Sequence, residues 1–300
     1  MKSVTRATLL FAALSLVSAH GTVQSFTANG VEHYAPRSNE VVDSPVRMVT
    51  DVSPSKIDSP HMACGPSAAK SAALTAKVTA GSTIKFTWRS GDPSQNWVHQ
   101  KGPVMTYMGK CSGAAADCAG EGMQWFKIDE QGFLPNGDWT QTNYNRNEST
   151  SAVVPAGIEN GDYLIRHEII ALHNLPAEFY VSCTQVTVDG GSDSAMKVSG
   201  ANLASFPGAY SAGDKGVTVD VFSNFQPDAY VFPGPPLFKS AAVGGDQGAA
   251  NPAEAPSSTG DAPAATTDAP AAPSQTKTGC SRKVKRVPQR LRRSRLARHF

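Results

Sequence analysis

Residues Gly161–Val188 read GDYLIRHEIIALHNLPAEFYVSCTQVTV. Two runs within this stretch, Gly161–Leu172 and Phe179–Val188, are dense in β-branched and aromatic side chains, and Asn174 and Pro176 interrupt them. That composition predicts two strands joined by a turn. Shorter runs of the same kind recur on both sides. They are Ser82–Trp88 (STIKFTW, after the turn signal Ala80-Gly81), Gln124–Ile128 (QWFKI), Ser151–Pro155 (SAVVP) and Val217–Phe222 (VTVDVF).

Many short strands broken by Gly, Pro, Asn and Asp predict an all-β chain. The expected class is an immunoglobulin-like or fibronectin-like antiparallel β-sandwich with long surface loops. Asp43–Ala63 and Leu134–Asn147 read as two such loops, and long loops on a sandwich tend to carry function. The chain has 300 residues, 40% hydrophobic and 17% charged, with 26 Gly and 21 Pro. No internal apolar run reaches the length of a membrane span.

The net charge of +2 conceals a strong segregation. Ten of the 27 Lys and Arg lie in residues 277–300 and two in the first nineteen, which leaves residues 20–276 with 15 basic and 25 acidic groups, a net of −10. An acidic body argues against a nucleic-acid partner. Residues 1–19, MKSVTRATLLFAALSLVSA, predict a signal peptide: Lys2 and Arg6 open it, Leu9–Val17 is apolar, and Val17 and Ala19 fit the −3 and −1 positions of a cleavage site. The chain is therefore expected to be secreted and extracellular. Residues 20–238 read as one β-rich domain. Residues 239–276, dominated by Ala, Pro, Ser and Thr, read as a disordered linker open to O-glycosylation. The basic tail at 277–300 reads either as a binder of anionic wall polymers or membrane surfaces, or as a segment removed in processing.

Cleavage after Ala19 makes His20 the first mature residue. An N-terminal His carries an α-amino nitrogen and an imidazole on one residue, and the two can chelate one metal ion. In an exported chain cysteines pair by default. Cys111 and Cys118 bracket the short loop SGAAAD and are expected to bond locally, which leaves Cys64 and Cys183 for each other. Cys280 is the odd one, open to a free thiol, an intermolecular bridge or removal. Asn147-Glu148-Ser149 is the sole N-glycosylation sequon.

The remaining histidines of the body are His33, His61, His99, His167 and His173. No HExxH, paired-Cys zinc spacing, GxSxG elbow or phosphate-cradling glycine loop is present. His33, His61 and His167 read as structural or surface residues. His99 stands in WVHQKGPVMTYMGKC (Trp97–Cys111), and His173 closes YLIRHEIIALH ahead of AEFYVSC. With His20, FPGAY (Phe206–Tyr210) and AYVFPGPP (Ala229–Pro236), these blocks resemble the auxiliary activity family 9 lytic polysaccharide monooxygenases, once called glycoside hydrolase family 61. The resemblance runs from about Ala19 to Phe238.

The resemblance implies one copper ion in a histidine brace. His20 would give its amine and Nδ1, His99 its Nε2, and Tyr180 would take the long axial position. That nitrogen field suits copper. His173 and Glu178 would hydrogen-bond the oxygen cosubstrate, with Glu178 departing from the usual Gln. Two residues, Gln100 and Lys101, also separate His99 from Gly102, where one is frequent. Strand period independently puts Glu178 and Tyr180 on one face and Cys183 on the other.

Tyr230 is the position at which the resemblance supplies a sugar-stacking ring on a flat face, and Tyr34, in the segment after His20, is a second candidate. The implied reaction is oxidative cleavage of a β-1,4-glucan, cellulose foremost, at C1 or C4. It needs O2 or H2O2 and an external electron donor such as a small phenol or a redox enzyme. A monomer is expected. The alternatives are a noncatalytic copper- or glycan-binding protein on the same sandwich, and a hydrolase, for which no carboxylate pair stands out.

Overall fold

The computed structural model describes residues 20–37, 42–68, 70–192, 200–223 and 225–238. The signal segment 1–19, the linker at 239–276 and the tail with Cys280 lie outside the described residues. Among the described residues there are nine strands: β1 (Gly21–Ala28), β2 (Val31–Tyr34), β3 (Ala76–Thr79), β4 (Thr83–Ser90), β5 (Val104–Lys110), β6 (Phe126–Gln131), β7 (Thr150–Val153), β8 (Gly161–Ala171) and β9 (Glu178–Asp189). One helical turn, α1 (Thr142–Asn145), accompanies them. One sheet has the order β2-β1-β4-β7 and the other β3-β9-β8-β5-β6. Together they form the β-sandwich expected from the sequence. The pairs are antiparallel except β3 with β9, where Ala76–Thr79 runs parallel to Val186–Asp189.

The strands β8 and β9 are buried on both faces, which is why they read as near-continuous apolar runs rather than as alternation. Tyr163, Ile165, Ile169 and Ala171 of β8 face the space between the sheets with Phe26, Phe86, Trp88 and Trp97. Leu164, Ile170 and Leu172 face outward into a second apolar cluster with Trp125, Trp139, Phe179 and Phe206. The loop from Asp43 to Ala63 forms the cover of that outer side. Its residues Val46 and Ser55 make isolated bridges to Thr184 and Phe179, so it also closes the edge of β9 that β3 leaves open. Cys64 and Cys183 are bonded and fasten the loop to the middle of β9. Cys111 and Cys118 are bonded locally.

Cys183 thus points away from Tyr180, as strand parity requires, but into the outer cluster rather than the intersheet core.

The expected strand Val217–Phe222 is a correction. Val217 and Val221 are buried in the outer cluster, which accounts for the alternation. The backbone bonds there go to turns instead of a ladder: Val217 and Thr218 N–H donate to Asp214 O, and Phe222 N–H donates to Asp220 Oδ1. Aspartates offering local acceptors outcompeted pairing. Conversely β1 and β5 escaped the strand pattern. A register shift between Val23 and Ser25 breaks the alternation of β1, and β5 is buried on both faces along Val104–Gly109.

Candidate active site

One end of the sandwich gathers the start of β1, the loop between β4 and β5, and the turn from β8 to β9. His20 immediately precedes β1, and its carbonyl accepts from Gly91 N–H at 2.6 Å. Gly21 must lack a side chain, because a Cβ there would stand 1.9 Å from the Arg89 carbonyl oxygen across the β1–β4 pair. His99 follows the fully buried Trp97, whose carbonyl accepts from Asn145 Nδ2 at 3.1 Å and whose indole donates to Gln141 Oε1 at 3.4 Å. Downstream, Gly102 has φ of +121°, and a Cβ would meet Ile170 O at 1.9 Å. That close approach lets Leu172 N–H donate to Lys101 O at 2.9 Å, while Gln141 Nε2 donates to both Lys101 O and Ile170 O. The His99 loop is thereby stitched to the end of β8, and His173 stands two residues beyond that end.

The side chains converge. His99 Nε2 lies 3.2 Å from the Tyr180 hydroxyl and 3.6 Å from Glu178 Oε2. The Tyr180 hydroxyl donates to Glu178 Oε2 at 2.7 Å. His173 Nε2 is 3.7 Å from Glu178 Oε1. Asn174 Nδ2 donates to His173 Nε2 at 3.0 Å and to Glu178 Oε1 at 3.3 Å. The imidazoles of His99 and His173 stack at 4.0 Å, and the His20 ring is 6.4 Å from that of Tyr180. Trp97 meets both His99 and Tyr180 edge-on, at 5.1 and 4.8 Å.

Charge is arranged to match. Burial opposes ionisation of Glu178, but hydrogen bonds from Tyr180 and Asn174 and the nearby His173 and His99 outweigh it and hold the carboxyl below its ordinary value. Burial first, then the hydrogen bond to Glu178 and its negative charge, push the Tyr180 phenol well above its usual range. The pair therefore keeps one proton on the phenol and a charge on the carboxylate.

A cluster of three imidazoles, a phenol and a carboxylate at the end of a β-sandwich coincides with a family-level match. Residues 20–230 fit the model of auxiliary activity family 9, formerly GH61. The chain belongs to auxiliary activity family 9. It is 42% identical over 250 residues to AA9 family lytic polysaccharide monooxygenase D of Gloeophyllum trabeum, covering 80% of this chain and 70% of that protein. It is 33% identical over 256 residues to lytic polysaccharide monooxygenase B of Heterobasidion irregulare, covering 77% of this chain and 98% of that one. The solved structure of a cellulose-active polysaccharide monooxygenase from M. thermophila superposes with a TM-score of 0.65 at 30% identity, covering 74% of this chain and all of the other. The crystal structure of HiLPMO9B superposes with 0.64 at 29% identity, over 73% and 99%. The chain is accordingly a copper-dependent polysaccharide monooxygenase.

The donor set of this AA9 chain fits copper. His99 turns Nε2, not Nδ1, toward the cluster, with the His20 ring and a neutral phenol beside it. Imidazole nitrogens suit that ion.

The other expected residues fall elsewhere. Tyr34 closes β2, which runs back toward the His20 end of β1; it is 55% exposed, and its hydroxyl donates to Glu32 Oε2 at 3.1 Å. Tyr230 is half-buried, its hydroxyl donates to Gly216 O at 2.8 Å, and its ring packs edge-on against Trp139 and Phe232. His33 stacks on Phe26, and His61 is exposed in a short turn over the outer face. His167 is buried between the sheets, where its Nδ1 accepts from the Trp88 indole at 3.0 Å. Asn147, exposed with φ of +66°, accepts from Arg89 through Oδ1, and Arg89 also reaches Asn96.

Sequence reasoning missed Trp97, Gln141 and Asn174. Gln141 carries no local signal, since its partners lie 29 and 40 residues away. Asn174 had one: it adjoins His173 in a turn short enough to bring it back over Glu178.

Proposed function

We propose that the chain is secreted, that cleavage ahead of His20 frees its α-amino nitrogen, and that the enzyme cleaves cellulose or a related β-1,4-glucan at C1, C4 or both. The observation that carries this reading is the convergence of His99 Nε2, the Tyr180 hydroxyl and the His20 ring at one end of the sandwich. The family match beginning at residue 20 supports the same mature start. The ion would be held by the amine and Nδ1 of His20 and by Nε2 of His99, with the Tyr180 hydroxyl beside it. Copper held there supplies one-electron chemistry toward O2 or H2O2 once an external donor has reduced it.

The chain's own residues set the conditions. Tyr180, kept protonated by Glu178, is a weak neutral donor rather than a phenolate. Trp97 packs against His99 and Tyr180 edge-on and excludes water from that side of them. His173 and Glu178 would present hydrogen-bonding groups to a cosubstrate beside His99 and Tyr180, and Asn174 fixes their spacing. On the substrate side, Tyr34 offers an exposed ring for stacking on a sugar face. Tyr230 offers only the exposed part of a ring otherwise fixed by Trp139, Phe232 and Gly216.

The test is product analysis. The protein is secreted with its own signal, loaded with copper and incubated with amorphous cellulose and ascorbate, and soluble oligosaccharides are read by mass spectrometry. Aldonic acids report C1 oxidation and 4-keto sugars report C4, and both should vanish from a copper-stripped sample. A chain verified to begin at His20 and to hold one copper, yet giving no oxidised product, rules out cellulose as the substrate.

A further inference from the structure

Three donors at the same end of the sandwich converge without His20. The ligand atoms of His99, His173 and Glu178 all lie within 4.8 Å of one another. The two nitrogen–oxygen separations are 3.6 Å (His99 Nε2 to Glu178 Oε2) and 3.7 Å (His173 Nε2 to Glu178 Oε1). Ligand atoms bound about 2.1 Å from a tetrahedral ion stand about 3.4 Å apart, which the two nitrogen–oxygen separations approach. His99 is buried and the other two are half-buried, with side chains 8%, 26% and 20% exposed. Both imidazoles bring Nε2 to the same carboxylate, and because the rings stack 4.0 Å apart at 18°, one of them must turn for both nitrogens to address one ion.

Asn174 supplies a second observation. Its Nδ2 donates at once to His173 Nε2 and Glu178 Oε1, at 3.0 and 3.3 Å. An amide NH2 has only protons to offer, so His173 must present its Nε2 lone pair and carry its own proton on Nδ1. A positive dipole thus sits where two acceptors converge, which is the place a cation would take.

We propose that His99, His173 and Glu178 form a second metal-binding mode of this centre, one that takes a divalent ion of zinc's class with water completing the shell and that does not require the amine of His20. Two imidazoles and one carboxylate are a recurrent donor set for zinc sites with an open position. The mode shares His99 with the copper reading, so the two ions exclude one another. Copper outranks zinc in nitrogen and oxygen sites, and the brace adds two nitrogens only when the amine is free. A chain still carrying residues before His20 therefore offers zinc these three side chains, and freeing the amine widens copper's advantage and displaces the zinc. Glu178 is the residue that makes this possible, because a glutamine would offer a neutral amide oxygen in place of an anionic ligand.

The experiment is a calorimetric titration of zinc chloride into a chain that retains Ala19, so that the His20 nitrogen is an amide while every side chain is intact. One zinc per chain is expected, weakened at least about tenfold by Glu178→Gln and by His173→Ala. Circular dichroism and melting curves of both variants establish that they fold. Zinc binding that survives Glu178→Gln unchanged overturns the proposal. So does zinc binding found only when the chain begins at His20, because the ion then sits on the brace. The copper reading fails by a different result: a chain beginning at His20 that takes up no copper.

Discussion

Glu168 and Glu178 lie on neighbouring strands and meet opposite fates. Glu168 projects from the outer face of β8 and is completely buried. Arg166 donates to both its oxygens at 2.9 Å, and the Tyr210 hydroxyl adds a third bond at 2.6 Å. The guanidinium is itself finished off by Met62 O and the face of Phe206. Glu178 stands at the end of the sheet, partly open, against one phenol, one amide and two imidazoles. Both are carboxylates in strands flanked by aromatics. They differ in whether the protein completes their bonds with a permanent cation. Glu168 has one and is inert; Glu178 has only groups that can turn toward an ion.

Opening the cover over Glu168 should have the largest effect. Replacing Cys64 and Cys183 by Ser releases a link spanning 119 residues, and chain-entropy reasoning puts the loss near 5 kcal/mol, against about 2.5 for the seven-residue Cys111–Cys118 link. Denaturant unfolding of the two double variants measures the difference, and equal losses would mean that the cover holds without its bond.

Next comes Glu168→Gln, which leaves Arg166 buried without its counter-charge at a cost of about 3–5 kcal/mol. Its unfolding midpoint should fall accordingly.

Two interior groups give smaller, pH-dependent effects. Burial pushes Asp129 up to about 7, against the hydrogen bond from Gln131. Folding thus costs more as pH rises from about 4 to 7, because only the unfolded carboxyl then ionises. Burial, aided by Arg166, lowers His167 to about 3. Its stabilisation is complete above the unfolded value of about 6.5 and is lost as pH falls toward the folded one. The two slopes oppose each other between about pH 4 and 6.5, each up to about 1.4 kcal/mol per pH unit. Asp129→Asn should unmask acid destabilisation in that window, read as melting temperature against pH; a variant as flat as the parent contradicts it.

The smallest stability change belongs to Glu178→Gln, about 1 kcal/mol, since Tyr180 can still donate to the amide oxygen. Its effect should appear instead in the electron paramagnetic resonance spectrum of the bound copper. A loss equal to that of Glu168→Gln, with an unchanged spectrum, would erase the distinction between the two carboxylates.

The local pattern made much of this readable. β4, β7, β8 and β9 follow from their composition, and parity alone separated Tyr180 from Cys183. His20 was legible from the cleavage site, but His99 and His173 only through the blocks WVHQKGPV and YLIRHEIIALH, because no spacing along the chain brings the three together. The stitching by Gln141 was invisible, being contacts with groups distant in sequence, whereas the amide bridge of Asn174 was signalled only by its place beside His173.

The sequence by itself determined which residues are chemically able to act, and, through the strand period, which of them share a face. Only the tertiary structure decided which carboxylate is spent on a buried guanidinium and which waits at the end of the sheet. It also made β3 pair in parallel with β9, and it turned a loop into the lid of a second core. The physical reason is that side-chain periodicity records the direction in which a residue points. What completes its bonds there is also set by segments distant in the chain, Tyr210 42 residues from Glu168 and Met62 104 from Arg166.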